Sequence, residues 1–187
     1  MMVVEEAASG EEAYEQLLRR DVDVVILDLS MPGHGGFEAL KRIKSRFPKQ
    51  RIIVFTMHDS ASIARRALSF GAAAYLTKSN DPDILIKAIR EVWQGQTVVD
   101  DNLKYLVSAE ESSCAPHDSL LPREFQIFLM LAGGESVDSI AAKLKMSEKS
   151  VANYQSVIRK KLNIDNQIEL IKYAEKHDLL TTFRQAG

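Results

Sequence analysis

Residues 22–36 read VDVVILDLSMPGHGG. From Val22 to Leu29 the run is apolar apart from Asp23 and Asp28. That is the pattern of a strand buried on both faces of a parallel sheet, and it stops at a Pro-Gly loop. Asp28 therefore stands near the C-terminal mouth of the strand, where open α/β sheets place ligands and chemistry. The alternative is that Asp28 caps the loop that follows.

Towards the N-terminus, MVVE (2–5) is a short strand candidate, and Ser9 and Glu12 have the spacing of a capping box that opens an amphipathic helix through Arg20. Towards the C-terminus, Phe37, Leu40, Ile43 and Phe47 recur at helical spacing until Pro48 ends the helix. RIIVFT (51–56) reads as a further buried strand. A helix from Ser60 to Phe70 is stopped by Gly71, AAAYLT (72–77) is a strand of small residues, and Lys78 follows directly. Asp81 to Gln94 form a helix whose apolar face is Ile84, Leu85, Ala88, Ile89 and Val92. Strand and helix alternate, which predicts an α/β domain with a parallel sheet over residues 1–96.

Residues 97–118 change character. A short helical segment around Leu103 to Val107 leads into SAEESSCAPHDS, polar, acidic and Pro-containing, which reads as a linker. Beyond it the periodicity is purely helical, over Pro122–Ala132, Val137–Leu144, Glu148–Leu162 and Gln167–His177. Residues 119–187 are thus expected to form a small all-α, four-helix domain.

Length and composition fit two small cores: 187 residues, 45% of them hydrophobic. The net charge of −2 divides into −4 over residues 1–118 and +2 over 119–187, so only the second part leans towards a polyanion. One cysteine, Cys114, excludes an intrachain disulfide, and four scattered histidines give no zinc-type spacing. No apolar run is long enough to span a membrane, and acids stand where a secretory signal would need basic residues, so no membrane association and a cytoplasmic location are expected.

Asp28, Thr56 and Lys78 stand at three successive strand ends. A carboxylate, a hydroxyl and an ammonium converging there can hold a phosphoryl group: Asp28 accepts it, Lys78 neutralises an oxygen and Thr56 donates a hydrogen bond. Tyr75, three positions before Lys78, is placed to swing between packed and exposed positions.

DVVILDLSMPGHGG with Asp28, IIVFT with Thr56, and GAAAYLTK with Tyr75 and Lys78 resemble response-regulator receiver domains, over about residues 1–96. The resemblance implies a flavodoxin-like sheet and phosphorylation of Asp28 by a sensor histidine kinase or a small acyl phosphate with Mg²⁺. Thr56 and Tyr75 would then reorient, changing the surface around helix 60–70. The chain departs from the family at its start. Receivers begin with a strand ending in an acidic pair that binds Mg²⁺, followed by a helix, and this sequence begins at the next strand. The parallel sheet is therefore expected to be truncated at its N-terminus. Glu5 and Glu6 lie at a different strand, and Asp28 with the Ser30 carbonyl offers only an incomplete metal site. The expectation is that the chain phosphorylates poorly or not at all.

In the second domain, VDSIAAKL, a break at Lys145 to Ser147 and a helix from Glu148 have helix-turn-helix spacing. Val151, Tyr154, Ile158 and Leu162 form the inward stripe. Lys149, Ala152, Asn153, Ser156 and Lys160 form the outward one, flanked by Ser150 and Arg159. The outward set mixes phosphate seekers with short side chains able to read base edges; an ordinary solvated helix face is the alternative.

LPREFQIFLMLAGG, VDSIAAKLKMSEKSVANYQSVIRKKLNI and the helix after them resemble the LuxR-type helix-turn-helix of NarL/FixJ-type regulators over residues 119–180. Tyr154 stands where many members carry His, and Ala152 and Ser156 where some carry Lys. The last helix, with Ile168, Leu170, Ile171 and Ala174, resembles the family's dimerisation helix, so a homodimer on inverted-repeat half-sites of double-stranded DNA is implied.

Taken together, the expectation is a two-component response regulator, not an enzyme, in which phosphorylation at Asp28 frees the recognition helix from the receiver. The alternatives are a regulator whose DNA binding is independent of phosphate, a small α/β phosphatase and a protein-interaction module. The phosphatase would need an acid where Ser30 stands.

Overall fold

The computed structural model describes residues 1–31, 35–104 and 115–180. Of the features singled out above, the Pro-Gly loop at 32–34, residues 105–107 of the short helical segment and residues 108–114 of the linker, Cys114 among them, lie outside the described residues.

Helix α1 (Gly10–Arg19) begins at Ser9, whose hydroxyl accepts from the Glu12 N–H at 3.2 Å, while the Glu12 carboxylate accepts from Ala8 N at 2.7 Å. Strand β1 (Val24–Leu27) is followed by α2 (Gly35–Arg46), β2 (Arg51–Thr56), α3 (Ala61–Ser69), β3 (Ala74–Thr77) and α4 (Pro82–Trp93). Ser60 caps α3, and Asp81 caps α4 with Pro82 in the first turn, where the missing N–H is not needed. A short strand, β4 (Val98–Val99), completes a four-stranded all-parallel sheet of order β1-β2-β3-β4.

Alternation along the strands divides the core. Val54 and Tyr75 face α2 and α3, whereas Ile53, Ala74 and Leu76 face Ala88 and Val92 of α4. Three expectations are corrected. Residues 2–5 form no strand: the segment is exposed, held by an Arg20 hydrogen bond to the Val4 carbonyl (3.1 Å) and an Arg20–Glu5 ion pair (3.4 Å). Consequently β1 pairs only with β2 among the described residues. On the α4 face, α4 reaches Val24 and leaves Ile26 47% exposed, so the run at 22–29 is an edge strand and is not buried on both faces. The sheet also extends into the segment that reads as linker, because β4 is too short to give a periodic signal.

The second domain follows the helical spacing closely: a 3₁₀ turn (Pro116–Ser119), α5 (Pro122–Ala132), α6 (Val137–Leu144), α7 (Glu148–Leu162) and α8 (Gln167–Lys176). Glu124 at the third position of α5 accepts from Leu121 N at 2.7 Å and pairs with Lys161 of α7 at 2.6 Å. This buried acid (Glu124 is 5% exposed) staples two helices and caps one of them. Among the described residues, no helix is long and apolar enough to cross a membrane.

The two domains pack on one another. Phe37 of α2 meets Phe125 of α5 edge to face, with ring centroids 5.3 Å apart, an arrangement worth about 0.5–1.5 kcal/mol beyond the area buried. Arg66 of α3, 4% exposed, donates to the His117 carbonyl at 2.7 Å and to the Leu120 carbonyl. Ser60 and Ser62 donate to the carbonyls of Asp178 and His177.

Candidate functional site

The mouth of the sheet is built by backbone fit. At Gly36, a Cβ would collide with the backbone of Asp28 and Leu29, so only glycine lets the start of α2 pass this close to the end of β1. Asp28 is thereby presented with its carboxylate half-buried. Its Oδ1 accepts from Ser30 N at 2.9 Å and its Oδ2 from Lys78 Nζ at 2.7 Å. Burial pushes this carboxyl up, but the hydrogen bond and charge of Lys78, the Ser30 N–H and the Thr56 hydroxyl outweigh it and hold Asp28 below the usual carboxylate range. The fold therefore brings Asp28, Thr56 and Lys78 together as expected, with Thr56 fully buried and the Lys78 ammonium over the Phe55 ring at 5.9 Å.

Tyr75 is fully buried, and its hydroxyl donates to the His58 carbonyl at 2.9 Å. It is thus in the packed position, and desolvation followed by the nearby carboxylates raises its pKa strongly. His58 was not evident from the sequence as a site residue. Its N–H donates to Thr56 Oγ1 at 3.5 Å and its Nε2 lies 3.3 Å from Ser30 Oγ. Burial lowers its pKa, against the attraction of Asp28 and Asp59. No spacing rule connects position 58 with position 30; only the sheet register does.

The donor set does not fit Mg²⁺. That ion takes near-octahedral oxygen ligands, usually including one or two carboxylates. Here both Asp28 oxygens are engaged, one of them by the Lys78 ammonium, and no group of three His, Cys, Asp or Glu side chains that could hold a metal stands among the described residues. Glu5 and Glu6 are exposed, and Glu5 is paired with Arg20.

In the second domain, Lys145 takes the left-handed conformation (φ 52°) that turns α6 into α7, and Ser147 caps α7 by accepting from Ser150 N at 3.1 Å. Val151, Ile158 and Leu162 are buried, as the inward stripe requires. Lys149, Ala152, Asn153, Ser156 and Lys160 are exposed along one face; Ser150 is half-buried, with its hydroxyl engaged to Ser147, and Arg159 is half-buried too. Tyr154 faces a cleft between the domains, lined also by Glu11, Glu38, Arg123 and Met146.

Two expectations change here. The outward face of α7 is open to solvent while the domains are packed together: the contacts from the first domain hold α5 and the end of α8 and leave that face uncovered. In α8, Leu170 and Ala174 are fully buried in their own domain's core and offer nothing to a second copy, whereas Ile168 is 66% exposed and Ile171 half-buried. A helix of this kind buries one stripe and can present only the other.

A parallel sheet with an acid, a hydroxyl and an ammonium at its mouth, joined to a helix-turn-helix, defines a receiver coupled to a nucleic-acid-binding module. The response regulator receiver domain family matches residues 1–90, and the luxR family of bacterial regulatory proteins matches residues 118–174. The chain is 34% identical over 187 residues to the transcriptional activator protein ExaE of Pseudomonas putida, spanning 95% of this chain and 85% of that protein. It is 36% identical over 181 residues to the response regulator UvrY of Escherichia coli strain K12, spanning 95% and 83%. Among solved structures, RcsB of Salmonella typhimurium superposes with a TM-score of 0.63 at 28% identity, covering 90% of this chain and 81% of that one. This chain belongs to the response regulators that join a receiver to a LuxR-type helix-turn-helix, a family of DNA-binding transcription regulators.

Proposed function

We propose that Asp28 is the phosphoacceptor of this regulator and that its phosphorylation alters DNA binding by α7. The observation that carries the reading is the Lys78 ammonium 2.7 Å from Asp28 Oδ2 at the sheet mouth. In the transfer, a carboxylate oxygen of Asp28 attacks the phosphorus of a phosphohistidine on a sensor kinase, or of a small acyl phosphate. The bond from phosphorus to the donor breaks, and the donor leaves with its electron pair. Lys78 passes from Oδ2 to a phosphoryl oxygen and neutralises charge there, and the Thr56 hydroxyl serves another oxygen. With one carboxylate at the mouth, Mg²⁺ is poorly supported and transfer is slow.

The phosphoryl group adds about −1.5 to −2 charge. Its neighbours on the adjacent strand end are Thr56 and the His58 loop, which is tied to Tyr75 and leads into Ser60. Because Ser60 caps α3 and also bonds Asp178, a change at this loop bears on the contact between the domains. RcsB has been seen as dimers bound to DNA. By analogy this cytoplasmic regulator reads inverted-repeat half-sites as a homodimer, with Lys149, Lys160 and Arg159 on phosphates and Ala152, Asn153, Ser156 and Ser150 towards the bases. Ile168 and Ile171 are the residues of α8 available to the second copy.

Fluorescence anisotropy on a labelled duplex tests this. Acetyl phosphate should tighten binding, and Asp28→Asn should abolish the increase. Binding unaffected by either treatment would mark a regulator independent of phosphate. Absence of both specific and salt-dependent binding would mark a protein-interaction module.

A further inference from the structure

Asp100 lies just past β4, is 4% exposed, and belongs to the stretch that reads as linker. Its Oδ2 accepts from Thr77 Oγ1 at 2.7 Å, from Thr77 N at 3.3 Å and from Asn80 Nδ2. Its Oδ1 accepts from Asn102 N at 3.1 Å, and its carbonyl accepts from Leu103 N and Lys104 N, both at 2.9 Å. The two ends of this residue do different work. Oδ1 and the carbonyl cap the helical turn at 101–104, whereas Oδ2 gathers the residues on either side of Lys78.

The turn that carries Lys78 is thereby held from two directions. On one side Lys78 N donates to the Thr56 carbonyl at 2.8 Å; on the other, Thr77 and Asn80 are drawn to Asp100. The Ser79 hydroxyl, 3.0 Å from Thr77 Oγ1, closes the network. Burial pushes the Asp100 carboxyl up, but hydrogen bonds from Thr77, Asn80 and Asn102 prevail and hold it below the usual carboxylate range. A lysine side chain has many rotamers, and holding its ammonium on one oxygen requires a fixed backbone under it.

We propose that Asp100 is a positioning residue for Lys78, and through it for the Asp28 carboxylate. The inference rests on the reading of Asp28 and Lys78 as the phosphoryl site. It adds that the end of β4 belongs to that site, and that a change of backbone at the domain's exit reaches the acceptor through Oδ2.

The test is a carbon-13 NMR titration of the Asp28 carboxyl in the full chain and in Asp100→Asn, Asn80→Ala and Lys78→Ala. Lys78→Ala sets the full upward shift of the Asp28 midpoint. Asp100→Asn and Asn80→Ala should each shift it upward, by at least half as much for Asp100→Asn, and Asp100→Asn should add nothing in the Lys78→Ala background. A midpoint unmoved in both variants overturns the proposal, as does an Asp100→Asn shift that persists without Lys78. Should Asp100→Asn fail to fold, Asn80→Ala, which keeps the cap at 101–104, decides alone. No phosphoryl donor is present, so this titration and the labelling of Asp28 fail independently.

Discussion

The guanidinium of Arg66 lies 4.0 Å over the ring of Phe125, on the other side of the domain boundary. With the Phe70 ring 5.3 Å away on its own side and two carbonyls of the second domain accepting its protons, Arg66 is the polar centre of the contact. Burial lowers its pKa to about 10, against the pull of Asp118 and Glu124, so it stays charged at neutral pH. Arg66→Ala strands the His117 and Leu120 carbonyls and should cost roughly 2–4 kcal/mol. Urea unfolding of this variant should resolve into two transitions where the parent shows more nearly one.

The same contact predicts a pH dependence. His117 is buried beside His177 and Arg66, and its pKa is lowered to about 4, chiefly by desolvation, with Asp118 opposing and the neighbouring cations assisting. In the unfolded chain it titrates near about 6.5. Between those values the unfolded state binds a proton that the folded state does not, so stability rises with pH across the window and falls on acidification from about 6.5 towards about 4, by roughly 3 kcal/mol in total. Urea midpoints measured at steps through this range should fall as the pH is lowered in the parent, and His117→Asn should flatten the slope.

Gly36→Ala places a methyl group against the backbone of Asp28 and Leu29. The strand end or the start of α2 must shift, which should destabilise the first domain by about 1–3 kcal/mol. The displacement also moves Asp28 relative to Lys78, so the Asp28 midpoint should rise. Thermal unfolding and the carboxyl titration check the two effects separately.

On α7, Lys149 and Asn153 are exposed on one face but have different chemistry. Lys149→Ala should weaken binding to all duplexes alike and reduce the slope of log affinity against log salt by about 1. Asn153→Ala should leave that slope unchanged and relax base preference at one position, by about tenfold. Salt titrations on two duplexes that differ at a single base pair separate the outcomes.

Legibility in the sequence followed the range of the interactions. The strand end at Asp28, the turn residues and the helices of the second domain rest on local periodicity and caps, and Ser9, Ser60, Asp81 and Ser147 all cap the helices their positions announce. Asp28, Thr56 and Lys78 were legible because each directly follows or ends an apolar run. His58 and Asp100 were not, since register alone brings them to the site across 28 and 23 residues. Arg66 gives no signal in the sequence because its partners are carbonyls, which carry no sequence signature. The edge position of β1 was also hidden: an apolar run reports what a strand can bury and leaves open what covers it.

Intact mass of the chain after incubation with acetyl phosphate and Mg²⁺, beside Asp28→Ala, tests the central claim most directly. The account predicts slow accumulation of a single phosphoryl group on the parent chain and none on Asp28→Ala. A label that persists in Asp28→Ala, or no label on the parent after exhaustive incubation, would contradict it.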